Sequence, residues 1–196
     1  TEKPLKYVFL MIGDGMGFEQ VRAARLFLGG DVIFDQPPYQ AEMTTRSANA
    51  PITDSAASAT AMAIGQKVDN GVISMAIPGD GSPRTTVLEQ LSALGKATGL
   101  VTTTDVTHAT PAAFGAHTKY RGNTEEIAAD LLTQSKPNVL FGGGFGITVQ
   151  AAADAGYTVI EDRDGLLALD TGGTTFVAGR FGDTHLPYEY DGLGNL

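Results

Sequence analysis

The sequence contains no cysteine, which excludes disulfide staples and thiolate metal sites and leaves the redox compartment open. Basic charge is scarce as well. Thirteen Lys and Arg stand against 22 Asp and Glu, for a formal net charge of -9 and a pI near 4.6. The basic residues are scattered rather than clustered, so nucleic acid, which is gripped by neutralising phosphates, is not expected as a specific partner. Long apolar runs are missing too: none approaches the ~18 residues that a membrane span requires, and no basic segment precedes a hydrophobic block. Neither a membrane span nor a signal peptide is expected within the chain. Thr1 opens it without Met, as a trimmed export signal would leave it, and as a boundary of another kind equally would.

What is present is enough for a packed domain. The 196 residues are 42% hydrophobic and 18% charged, near the size of one domain with a real core. Glycine, at 25 residues, exceeds its usual share of about 7%, which implies many shaped loops. An acidic chain can still bind an anionic substrate, provided that metal ions or one well-placed Arg supply the positive charge.

The apolar run "YVFLMI", residues 7–12, ends abruptly in "GDGMG" and predicts a strand buried on both faces. "FEQVRAARLFL" then predicts a helix stopped by Gly29-Gly30, and the Ala-rich run from Asp54 to Ile64 predicts another. Residues 65–83 read as an excursion with turns at Asp69-Asn70-Gly71 and Asp80-Gly81. Beyond them helix and strand alternate. "TTVLEQLSALG", "PAAFGAH", "TEEIAADLLTQS", "ITVQAAADAG" and "RDGLLALD" read as helices, and "TGLVTTT", "PNVLFGGG", "YTVIED" and "TTFVAG" as strands. The fold class expected is α/β, a central, mainly parallel sheet with helices on both faces, whose functional groups gather at the carboxyl ends of the strands.

Three polar clusters fall at such positions. Asp14 in "IGDGMG" is either a turn residue or a metal ligand; a dinucleotide loop is a poor fit, because Phe18 stands where the third glycine belongs. Ser55 in "PITDSAASATA" opens a helix, where backbone N–H groups and the helix dipole can stabilise an alkoxide or a phosphate ester. The plain alternative is that Thr53, Asp54 or Ser55 merely caps the helix. The third cluster, "TTTDVTHATPAAFGAHTKYR", holds Asp105, His108, Thr110, His117 and Arg121. Pro111 suits the first turn of a helix and would leave His108 and Thr110 on the loop before it. A lone histidine is commonly structural, and an arginine commonly a solvated charge, but Arg121 is the best candidate for a guanidinium that grips phosphate by two hydrogen bonds.

"IGDGMG", "TDSAASATA" and "HATPAAFGAH" followed by Arg121, in that order, closely resemble the alkaline phosphatases over nearly the whole chain. The resemblance implies that phosphate monoesters are hydrolysed through a phosphoserine at Ser55, with two zinc ions and one magnesium ion as cofactors. By the same resemblance Asp14 bridges one zinc and the magnesium, Ser55 meets the metal site, Thr110 is a magnesium ligand, His108 stands near that ion, and Arg121 binds the phosphate oxygens. It also implies inorganic phosphate as a ligand, a periplasmic or extracellular location, and a homodimer in many members. Metal activation of the serine would explain why no neighbouring base is needed.

Two departures bear on this. Some members carry Asp where this chain has His108, and a neutral imidazole should hold magnesium less well than a carboxylate. Family members are also about twice as long by resemblance, with the remaining zinc and magnesium ligands in their second half. Of the three histidines here, His117 and His185 match none of those ligands, so no zinc site with three or four protein ligands is expected from this chain alone. Residues 1–196 therefore read as the N-terminal portion of a single catalytic domain, truncated relative to the family and dependent on a C-terminal half. Other readings are a phosphodiesterase of the same superfamily and a non-catalytic phosphate-binding fragment; a sulfatase is disfavoured by the absence of cysteine together with "TDSAASATA".

Overall fold

The computed structural model describes residues 6–188; the opening at Thr1 and the closing stretch from residue 189 lie outside the described residues. The chain forms two compact units, residues 1–44 and 45–196. In the first, helix α1 (Phe18–Leu28) ends at Gly29, whose φ of 69° places it in the left-handed region that glycine tolerates best. A short 3-10 turn follows at Ile33–Asp35, and the Arg25 guanidinium donates to the Asp35 carboxylate. The strand expected over residues 7–12 is not formed: these residues carry no ladder among the described residues, and Tyr7 to Met11 are exposed. An apolar run becomes a strand only where another strand takes up its backbone groups.

The second unit contains the sheet. Strands β1 (Gly99–Asp105), β2 (Val139–Gly143), β3 (Thr158–Ile160) and β4 (Val177–Arg180) are joined in the order β1-β2-β4-β3. Every pairing is parallel, with Gly99 opposite Val139, Val139 opposite Val177, and Thr158 opposite Val177. Around them run α2 (Ser55–Ile64), α3 (Val87–Ala93), α4 (Ala109–Gly115), α5 (Thr124–Thr133), α6 (Val149–Asp154) and α7 (Arg163–Leu167). The expected parallel α/β sheet is thus present, with strands at four of the five predicted places.

Burial explains why these segments hold. On α5 the apolar face of Ile127, Ala128, Leu131 and Leu132 is buried, at the spacing that puts i, i+1, i+4 and i+5 on one side of a helix. In the sheet, Leu140 on β2 is 1% exposed. Helix α2 has little bulk to bury, yet Ala56, Ala57, Ala59, Thr60 and Ala63 all lie inside. Ala57 joins Val68, Val72 and Met75 in a cluster that Ile64 and Ile77 flank. The excursion 65–83 therefore wraps the small-residue helix and supplies the bulk that α2 lacks.

Candidate active site

The N-terminus of α2 is fixed by Asp54, which stands in extended backbone at its N-cap. Its Oδ1 accepts the Ala57 N–H at 2.9 Å, one of the donors that the first helical turn cannot satisfy internally. Ser55 is the first residue of the helix and half-buried. It sits at the positive end of the helix dipole. The capping alternative is therefore true of Asp54, and it leaves Ser55 beside the cap rather than serving as one.

Asp54 does more than cap. Its Oδ2 accepts the Gly71 N–H at 3.0 Å and an Arg121 guanidinium N–H at 3.1 Å. The other arm of that guanidinium lies 3.3 Å from Nε2 of His108, a contact in which the guanidinium can only be the donor. The Asp54 and Arg121 side chains are 26% and 27% exposed, so solvent screens their attraction less than that of a surface pair. Arg121 is further held by its own backbone, whose N–H donates to the Gly71 carbonyl at 2.7 Å.

The loop before Asp54 is braced from the excursion. Asn70 Oδ1 accepts the Asp54 N–H at 3.0 Å, its Nδ2 donates to the Ile52 carbonyl at 3.1 Å, and its own N–H donates to Asn49 Oδ1 at 3.0 Å. The sequence marks Asn70-Gly71 only as a turn, and nothing in it singles out Asn49; the structure makes all three supports of the Asp54 corner.

His108 is the N-cap residue of α4, and Thr110 lies in the first turn of that helix. Helix α4 thus begins two residues earlier than Pro111 alone suggests, and Thr110 is helical rather than on the loop. At the exit of β1, Asp105 Oδ1 pairs with His185 Nδ1 at 3.2 Å, and the His185 ring meets that of His108 edge-on at 5.5 Å between centroids. Sequence reading gave His185 no place in this neighbourhood. Asp14 belongs to the first unit, in the turn closed by the Met16 N–H on the Gly13 carbonyl, with Gly15 at a φ of 69°. The second unit therefore brings together Asp54, Ser55, His108 and Arg121, with Thr110 two residues beyond His108.

Thr110, Ser55 and Asp14 are oxygen donors of the kind magnesium prefers, but no group of three His, Cys, Asp or Glu side chains comes together among the described residues. A zinc site closed by protein side chains does not fit these residues alone.

The chain is an α/β protein in which a serine opens a helix next to the carboxylate that anchors a guanidinium, an arrangement whose chemistry suits an anion. A family model for alkaline phosphatase matches residues 5–148. Alkaline phosphatase 3 of Bacillus subtilis (strain 168) is 37% identical over 97% of this chain and 45% of that protein. The cold-active alkaline phosphatase of the psychrophile Shewanella sp. shares 36% identity and superposes with a TM-score of 0.77, covering 90% of this chain and 46% of that one. A histidine-to-aspartate variant of TAB5 alkaline phosphatase, with magnesium bound, superposes with a TM-score of 0.79 at 27% identity over 92% of this chain and 54% of that one. The chain belongs to the alkaline phosphatase family. It spans about half the length of the relatives it matches.

Proposed function

We propose that the protein hydrolyses phosphate monoesters, with Ser55 as the nucleophile and Arg121 as the residue that grips the phosphoryl oxygens. The observation that carries this reading is the Arg121 guanidinium held at the N-terminus of α2 by Asp54, the residue next to Ser55. A guanidinium offers five N–H donors in a planar fork, and Asp54 and His108 engage two of them here. The fork is thus oriented before a ligand arrives, and such preorganisation avoids the cost of ordering it during the reaction.

In the proposed step the Ser55 Oγ attacks phosphorus as the bond from phosphorus to the ester oxygen breaks, and the proton lost by Ser55 ends on the departing alcohol. The phosphoserine is then hydrolysed, releasing inorganic phosphate. The negative charge of the phosphoryl group, a dianion spread over three oxygens, meets the positive end of α2 and Arg121. Asp54 keeps Arg121 in place and, as a carboxylate already paired, adds less repulsion than an unpaired one would.

Metal dependence is part of the proposal for the whole protein: two zinc ions and one magnesium ion, for which Asp14, Ser55, His108 and Thr110 are an incomplete donor set. Such ions would lower the pKa of the serine hydroxyl and neutralise phosphoryl oxygens. Residues 1–196 are accordingly proposed as the N-terminal portion of one catalytic domain that draws further ligands from a C-terminal half, in a homodimer, in the periplasm or outside the cell. No helix among the described residues is long and apolar enough to cross a membrane. A second reading is a phosphate-binding piece without catalysis, since Arg121 and the N-terminus of α2 can hold a phosphate by hydrogen bonds and charge alone. Phosphate release from an aryl phosphate monoester with zinc and magnesium, beside a Ser55→Ala control, separates the two: release lost in the control supports the enzyme, and phosphate binding with no release in either supports the second.

A further inference from the structure

The segment that delivers Arg121 is closed at its start by a histidine that the proposed chemistry does not use. His117 follows α4, and its ring lies between two acceptors: Nδ1 is 3.0 Å from the Ser74 carbonyl oxygen and Nε2 is 2.9 Å from Glu89 Oε1. A backbone carbonyl only accepts, and an ionised carboxylate only accepts. Both ring nitrogens must therefore carry protons, and the ring that satisfies this geometry is the imidazolium. Glu89 is not free to turn away, because its Oε2 accepts the Thr86 N–H at 2.8 Å in the capping box that starts α3. Ser74 is equally fixed: it is fully buried at a φ of 44°, its N–H donates to Thr60 Oγ1 at 3.0 Å and its hydroxyl to the Ala113 carbonyl at 2.6 Å.

From this clasp the chain runs directly to Arg121. Ile73 and Thr118 exchange both backbone hydrogen bonds at 3.0 Å, and the Arg121 N–H closes on the Gly71 carbonyl. Residues 117–121 are thus stitched antiparallel to residues 71–74 at three points. One end is the His117 clasp, and the other is Gly71, whose N–H is bound by the same Asp54 oxygen that holds the Arg121 guanidinium.

We propose that His117 is a positioning residue for Arg121: clamped as an imidazolium between Ser74 and Glu89, it pins the 117–121 segment, and loss of its proton loosens the seat of the guanidinium. The proposal rests on the reading of Arg121 as the phosphate-gripping residue. When the ring is neutral it keeps one N–H, so either the Ser74 bond is lost or a lone pair is left facing the Glu89 carboxylate.

The charged groups around the ring come from several elements. Glu89 faces it from α3, and Asp130 on α5 accepts the His117 backbone N–H at 2.9 Å. Glu126, also on α5, accepts the next residue's hydroxyl, from Thr118, at 2.6 Å. Arg84 donates its backbone N–H to the same Ser74 carbonyl at 2.9 Å, Lys119 and Arg121 lie on the ring's own segment, and α4 carries no charged side chain. Burial opposes the charge on His117, but Glu89, the Ser74 carbonyl and Asp130 outweigh it and hold the pKa above its ordinary value.

The test is an NMR titration of the protein, unmodified and as Glu89→Gln, following the His117 ring nitrogens, hydrogen exchange of the Thr118 and Arg121 amides, and affinity for inorganic phosphate. In the unmodified protein both ring nitrogens are expected to be protonated below the His117 midpoint. Above it, protection of Thr118 and Arg121 should fall about tenfold, the worth of one hydrogen bond to a charged group, while Leu131 in the core of α5 is unaffected. Glutamine can keep the Thr86 cap through its oxygen and turn its amide N–H toward the ring, so it favours the neutral imidazole. In Glu89→Gln the midpoint should therefore drop by about one pKa unit or more, and the pH dependence of Arg121 protection should move with it. Arg121 protection that does not change across the His117 titration overturns the proposal, as does a neutral ring at every pH where the protein is folded. If protection follows the titration while phosphate fails to bind at any pH, the positioning role stands and the phosphate-gripping reading of Arg121 falls. If phosphate binds and its affinity tracks the same midpoint, both stand.

Discussion

Helices α1 and α2 are nearly equal in length, 11 and 10 residues, and their sequences suggest opposite fates. Helix α1 carries Phe18, Leu26, Phe27 and Leu28, and buries none of its residues; α2 carries little beyond alanine, serine and threonine, and buries five. Burial follows the partners a segment finds rather than the size of its own side chains. Helix α2 is clamped by Asp54 at one end and Gly65 at the other, and the excursion that returns through Asn70, Gly71 and Val72 closes over it. Small residues are what allow that loop, α4 and the Arg121 segment to approach the helix that bears Ser55.

The contrast can be broken most severely at Asp54. In Asp54→Ala the cap is lost together with the acceptor for Gly71 and the partner of Arg121, and about 3 kcal/mol of stability should go with them; urea unfolding measures it. A smaller loss, about 1–3 kcal/mol, is expected for Ala56→Leu, which forces bulk into a fully buried position on α2. The matching change on α1, Leu26→Ala at a position 76% exposed, should alter stability by no more than about 0.5 kcal/mol. If Leu26→Ala proved as costly as Ala56→Leu, the two helices would not differ as described.

A pH effect of smaller size sharpens the same comparison, because it belongs only to the unit that holds α2. The Glu89 pKa is lowered: burial raises it, but the Thr86 N–H and His117 outweigh burial. A lowered carboxylate contributes stability above its ordinary value of 4.5, lost as pH falls through its folded value, and the raised His117 contributes below its ordinary 6.5, lost as pH rises through its folded value. The pair is therefore at full strength between those two ordinary values. Thermal unfolding across pH should show a gain in that window that Glu89→Gln lacks.

The order of strands and helices from Val87 to Arg180 was legible in the sequence, because apolar runs alternate with helical periodicity there. Residues 7–12 show the limit of such a pattern: six apolar residues specify extended backbone but not the neighbour that would make it a strand. Strand order β1-β2-β4-β3 was not legible either, since crossovers leave no local mark. At the site, Asp54 and Ser55 stand out beside a helix start, and Arg121 gains its meaning only from the motif that precedes it. The bracing by Asn49 and Asn70 and the pairing of Glu89 with His117 join residues far apart in the chain, and no spacing rule connects them.

The central claim is that phosphate is transferred to Ser55. The protein should be mixed with zinc, magnesium and an aryl phosphate monoester, quenched in acid, and the peptide spanning residues 47–67 sequenced by mass spectrometry. Phosphate on Ser55, and on neither Ser47 nor Ser58, is the result the account predicts. Turnover of the ester with Ser55 unmodified under every quench, or with the phosphate on another residue, would contradict it.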